Sequence, residues 1–149
     1  MNQQVHSVFP YLRTSDANAA IAFYQAAFGA TEEFVLREPS GRIGHAELRF
    51  GDAIVMVSDA YPEYGIHAPD PSTPTGAAIH LHVGDVDAVT AQAVAAGAKV
   101  VMEPKDQFYG EHTSKVLDPF GHEWLLGSEI EKLSNDEIQK RYLAMFGSE

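Results

Sequence analysis

The stretch Pro10–Asp16 reads PYLRTSD, and it has an echo at Ile79–Asp85, IHLHVGD. Each is a short alternating run that ends on an aspartate able to cap a helix. Asp16 and Asp85 are 85 − 16 = 69 residues apart. A degenerate repeat of this length implies one folding unit written twice. Two copies of a unit place corresponding side chains on one shared cavity.

Working outward, His6–Thr14 alternates as a strand, with Val8, Pro10, Leu12 and Thr14 on one face and Phe9, Tyr11 and Arg13 on the other. Ser15 or Asp16 caps a helix to about Phe28, whose apolar stripe is Ala17, Ala20, Ile21, Tyr24 and Phe28. Gly29 ends it. Ala30–Arg37, His45–Phe50 and Ala53–Ser58 read as strands, separated by the turn Glu38-Pro39-Ser40-Gly41 and by Gly51-Asp52. Asp59–Gly76 holds four prolines and two glycines and is a linker long enough to cover a site.

The second unit repeats the plan: a strand at Ala78–Val83, a helix from Asp85 through Ala96, then strands at Lys99–Glu103, Thr113–Leu117 and Glu123–Gly127. Ser134-Asn135-Asp136-Glu137 is a capping box that opens a C-terminal helix outside the repeat. The expected organisation is α+β: a βαβββ module over residues 6–60, a linker over 61–76, a second βαβββ module over 77–128, and a helical segment over 129–149.

The chain has 149 residues and no cysteine, so disulfides and thiolate metal sites are excluded. No run of about 18 apolar residues spans a membrane, and MNQQVHSVF has no basic region followed by a long apolar stretch. The expectation is a cytoplasmic protein. Its net charge of −11 argues against nucleic acid and anionic membrane as partners; it would favour a cationic ligand, but it is also the ordinary acidity of many soluble cytoplasmic proteins, which is the better reading.

Pro10–Ala30, Gly41–Asp59, His82–Val89 and Gln107–Trp124 together resemble the vicinal oxygen chelate superfamily, which includes glyoxalase I, extradiol dioxygenases, fosfomycin-resistance enzymes and bleomycin-resistance proteins. The chain looks closest to the small PhnB-like, glyoxalase-like proteins. The resemblance implies paired βαβββ modules, a U-shaped mixed sheet around a cavity, and a homodimer whose halves share or swap modules. It also implies four metal positions, which an ungapped strand alignment puts at Phe9, Met56, Ala78 and Leu125. The repeat agrees, since 78 − 9 = 69 and 125 − 56 = 69. None of the four is a ligand for a hard or borderline divalent ion. No cofactor is expected at these positions.

Helices cover one face of each sheet in this architecture, so the uniformly apolar strand face (Leu12, Leu48, Val55, Val57, Ile79, Leu81, Val83, Trp124, Leu126) is expected against helix. The opposite face lines the cavity with Phe9, Tyr11, Arg13, His45, Glu47, Arg49, Ile54, Met56, Ser58, Ala78, His80, His82, Glu123 and Leu125. An apolar floor with a few polar groups suits a small molecule. Phe9 and Tyr11 are candidates to stack on a planar ligand, and Arg13 and Arg49 to bind an anionic group or pair with Glu47 or Glu123. Loop aromatics, Tyr61–Tyr64 and Phe108-Tyr109, are candidates to close over it.

His80 is the candidate catalytic group, as acid, base or metal ligand. His45, Glu47 and His80 could form a displaced metal site. Two readings lead, with a structural or protein-interaction domain as a third, favoured only where Phe9, Tyr11, Met56 and Leu125 fill the cavity. One is a metal-free binding or sequestering protein of the bleomycin-resistance kind. The other is a glyoxalase-like lyase or dioxygenase-type enzyme that uses the displaced metal or His80 as base.

Overall fold

The computed structural model describes residues 3–73 and 75–147. Its elements in chain order are β1 (Tyr11–Thr14), α1 (Ala17–Phe28), β2 (Thr31–Arg37), β3 (Ile43–Phe50), β4 (Ala53–Asp59), β5 (Ala78–His82), α2 (Val86–Ala96), β6 (Lys99–Asp106), β7 (Glu111–Leu117), β8 (Glu123–Glu129) and α3 (Asn135–Ala144). The strands form two four-stranded mixed sheets, ordered β1-β4-β3-β2 and β5-β8-β7-β6. In each, the first strand runs parallel to the last and the other pairs are antiparallel.

The repeated aspartates do what the sequence asks of them. Asp16 accepts from the Ala19 amide and Asp85 from the Ala88 amide, both at 3.0 Å, so each helix starts on a satisfied cap. Gly29, at φ 70°, closes α1 in the left-handed conformation that a side chain would resist.

The apolar strand faces pack on the helices as expected. Leu48, Val57, Trp124 and Leu126 are fully buried, Leu12 and Val55 nearly so, and Ile79 and Leu81 are half-buried against the same core. That core is continuous across both units. The Tyr24 ring of α1 lies 5.2 Å from the Trp124 ring of β8, centroid to centroid. Buried Asp118 accepts from the Tyr24 hydroxyl at 2.5 Å, from Trp124 Nε1 at 2.9 Å, and from the Phe120 and His122 amides. Burial and the neighbouring Asp118 push the Tyr24 phenol well above its ordinary range.

Asp59, read from sequence as the start of the linker, is instead the last residue of β4 and is buried. Its carboxylate accepts from the Ala17 amide at 2.7 Å and the Ile43 amide at 2.7 Å, tying the start of α1 to β3.

β1 begins at Tyr11, not His6. Pro10 has no amide to give the ladder, and only its carbonyl is used, by the Met56 amide at 2.9 Å. Val8 and Phe9 are exposed, so no burial holds that segment extended. β6 runs past Glu103 to Asp106, and Pro104 is tolerated because β6 is an edge strand. α3 buries none of its residues. It is held by Phe108 stacked on Tyr142, by Arg141 donating to the Phe108 carbonyl, and by Arg141 paired with Glu131. Among the described residues no helix is long and apolar enough to cross a membrane.

Candidate functional site

The strand register puts Tyr11, Met56 and Glu47 side by side on the first sheet and Ala78, His80 and His82 along the second, whereas Phe9 precedes β1, and of the predicted cavity residues only Tyr11, Ala78 and Glu123 line the cleft described next. On the first sheet Tyr11 pairs with Met56 and Met56 with Glu47. On the second, Ala78 pairs with Glu123, His80 with Leu125 and His82 with Gly127. A cleft of about 360 Å³ lies between β1 and β5, with Tyr11, Ala78, Ile79, His122 and Glu123 in its walls. His122 crosses between the units by donating from Nε2 to the Arg13 carbonyl at 2.9 Å.

The first sheet assembles one polar chain. The Tyr11 hydroxyl lies 2.7 Å from His45 Nδ1, and His45 Nε2 lies 2.9 Å from Glu47 Oε2. A carboxylate only accepts, so Nε2 donates to Glu47; a neutral ring then accepts the Tyr11 proton at Nδ1. The Arg13 guanidinium sits 4.2 Å above the Tyr11 ring, a cation–π contact, and pairs with no carboxylate among the described residues. Arg49 pairs with Glu33 at 2.9 Å, not with Glu47 or Glu123 as expected. Arg49 faces Thr31 across the ladder, and Glu33, two residues further along β2 at a register shift, reaches it diagonally.

His80 does not join His45 and Glu47 within this chain. It lies on β5 with His82 and meets Glu111 of β7, one candidate ligand atom from each of the three lying within 4.8 Å of the others. The displaced grouping His45, Glu47 and His80 is therefore replaced by two separate clusters, because β3 and β5 belong to different sheets.

Phe9, Met56, Ala78 and Leu125, the four positions the resemblance implies for metal, carry no imidazole or carboxylate, so their donor set does not fit a borderline or hard ion. The loop aromatics go elsewhere. Tyr61 donates to Glu38 and lies under Arg42; the Glu38 bond is the main cause that pushes its phenol up to about 12, against the opposing charge of Arg42. Phe108 meets both Tyr109 and Tyr142, in the turn that leads into Glu111.

Glu111 and Gly127 were missed by sequence reasoning. The His80-x-His82 spacing asks for a third donor nearby, whereas Gly127 becomes an interior strand glycine, a mark of close approach, only because β8 runs on to Glu129.

The profile of the Glyoxalase/Bleomycin resistance protein/Dioxygenase superfamily matches residues 4–126. An uncharacterized protein of Mycobacterium tuberculosis strain H37Rv is 41% identical over 133 residues, covering 87% of this chain and 78% of that one. The crystal structure of TioX from Micromonospora sp. ML1 is 28% identical with a TM-score of 0.62, covering 87% of this chain and 100% of that one. Protein PA1353 from Pseudomonas aeruginosa is 26% identical with a TM-score of 0.67, over 84% and 98% of the two chains. The chain belongs to the glyoxalase/bleomycin resistance protein/dioxygenase superfamily.

Proposed function

We propose that this chain is a small-molecule-binding member of the superfamily, PhnB-like in subgroup, that sequesters a small, partly planar ligand in the manner of bleomycin-resistance proteins. One observation carries the reading: Tyr11, held through His45 by Glu47, stands at a cleft whose wall includes Ala78, an apolar residue at one of the family metal positions. Tyr11 offers the ring face that Arg13 leaves uncovered and an oriented hydroxyl, while Glu123 offers a charge at the cleft wall. The net charge of −11 favours a ligand bearing positive charge. The reading includes a homodimer. Phe9, Phe34 and Leu36 are 45%, 47% and 53% exposed and supply apolar area that a second copy would cover. It also includes a cytoplasmic location.

The test is thermal denaturation with a panel of flat cationic aromatics. A ligand at a hundred times its Kd adds about 2.7 kcal/mol, or roughly 5 to 10 °C in Tm. That shift should vanish in Tyr11→Ala. A panel that leaves Tm unmoved, or a shift that survives in Tyr11→Ala, contradicts this reading.

A further inference from the structure

We propose that His80, His82 and Glu111 bind one divalent transition-metal ion on the helix-free face of the second sheet, at residues distinct from Phe9, Met56, Ala78 and Leu125. The three side chains form a compact group, with one candidate ligand atom from each within 4.8 Å of the others. His80 and His82 alternate along β5, so both rings rise from the same face. Their centroids are 4.9 Å apart with the planes at 87°, so neither ring covers the other. A tetrahedral ion with bonds of ~2.0–2.1 Å needs its ligand atoms about 3.3 Å apart. His82 Nε2 and Glu111 Oε2 already stand at 3.1 Å. His80 is exposed and makes no hydrogen bond to another described residue, so rotation of its side chain closes the remaining distance.

Gly127 supplies the second observation. A β-carbon built there would lie 2.7 Å from Glu111 Oε1 and 2.9 Å from His80 Nε2. Gly127 is buried in the interior of β8, and it is not among the glycines of positive φ, so backbone conformation does not demand it. An interior strand glycine gives up packing and β preference. Here it leaves a bare floor on which an imidazole and a carboxylate converge. In addition, Glu111 pairs with Glu129 across β7 and β8. Two carboxylates on facing positions repel, and a cation on Glu111 offsets that repulsion.

The donor set decides the class of ion. Two imidazole nitrogens and one carboxylate suit zinc and its first-row neighbours, whereas calcium and magnesium need more oxygen ligands. Three protein ligands also leave a coordination position open to water or a small molecule. The site is independent of the ligand proposed for the cleft, and either can fail alone.

The experiment uses the untagged full chain stripped with chelator. It is titrated with Co²⁺ and followed by the ion's visible absorption, then with Zn²⁺ in competition. The expected result is one ion per chain, with affinity lowered about tenfold or more in His80→Ala, Glu111→Gln and Gly127→Ala. His67→Ala, an exposed linker histidine, should bind as the parent does. Gly127→Ala keeps all three ligands, so its loss separates the floor from the donors. Thermal denaturation without metal checks that each variant is folded. No uptake by the parent chain, or undiminished uptake by folded His80→Ala and Gly127→Ala, overturns the proposal.

Discussion

Tyr11 and Arg13 on β1 correspond to His80 and His82 on β5, each pair separated by 69 residues: 80 − 11 and 82 − 13. Ser58 on β4 corresponds to Gly127 on β8 by the same offset, 127 − 58 = 69. The registers match too, since Arg13 pairs with Ser58 and His82 with Gly127. Yet the two faces carry different chemistry. The first orients a phenol through an imidazole and a carboxylate beneath a guanidinium. The second gathers two imidazoles and a carboxylate over a position with no side chain. Even the charge on the third strand differs. Glu47 pairs with Met56, whereas Lys115 pairs with Leu125, so the second face draws its carboxylate from Glu111, further along β7. The lesson is that a duplicated backbone fixes where side chains stand, and single positions such as 58 and 127 then decide what can meet there.

The strongest way to break the comparison is to remove what the two faces share. Asp118→Ala strands two buried ring donors, from Tyr24 and Trp124, and the amides of Phe120 and His122. Losses of about 3 to 5 kcal/mol are expected in denaturant unfolding, with both faces failing together. A loss under about 1 kcal/mol would mean that the two units are not coupled through this carboxylate.

The next change acts on one face only. Tyr11→Phe removes the hydroxyl that reaches His45 and should weaken cleft ligands by about 1 kcal/mol, roughly fivefold. Calorimetry with a ligand found in the thermal screen reads this, and metal uptake on the second sheet should not follow it.

Gly127→Ser copies the first sheet into the second. The atoms in its way are the ends of two side chains, so they can move. Stability should therefore change by no more than about 1 kcal/mol, while the convergence of His80 and Glu111 is lost. A large drop in Tm would show that the position is glycine for packing alone.

The smallest effect concerns pH. His112 sits between Asp106 and Asp87, at 2.7 and 3.0 Å. Both carboxylates accept, so the charged ring, which donates from both nitrogens, is the form this arrangement favours. The bond to Asp87 is the larger cause, that to Asp106 the next, and together they raise the pKa of His112 above its ordinary value. A raised folded-state pKa stabilises fully below the unfolded value and is lost as pH rises through the folded one. His112→Gln should therefore flatten a modest decline in stability from neutral pH upward, and an unchanged profile would contradict the pairing.

Much of this fold is legible in local pattern. The 69-residue echo, the capping aspartates and the period-two strands give both units and the inward faces, because each depends on neighbours in sequence. Leu48, Val57, Trp124 and Leu126 are buried for that reason. What local pattern does not carry is partnership between distant strands. Asp59 looks like a linker residue until β4 is seen to end beside α1 and β3. Glu111 looks like a turn residue until β7 extends far enough to bring it to His82. His45, Glu47 and His80 share a chemical logic on paper, but the sheet order separates them.

The central claim is that the two matched faces hold different chemistry, with a metal on the second. Anomalous diffraction from crystals grown with Co²⁺, recorded at the cobalt edge, tests it most directly. A single strong peak is expected among His80, His82 and Glu111, above Gly127. A peak at His45 and Glu47, or beside Phe9, Met56, Ala78 and Leu125, would contradict it.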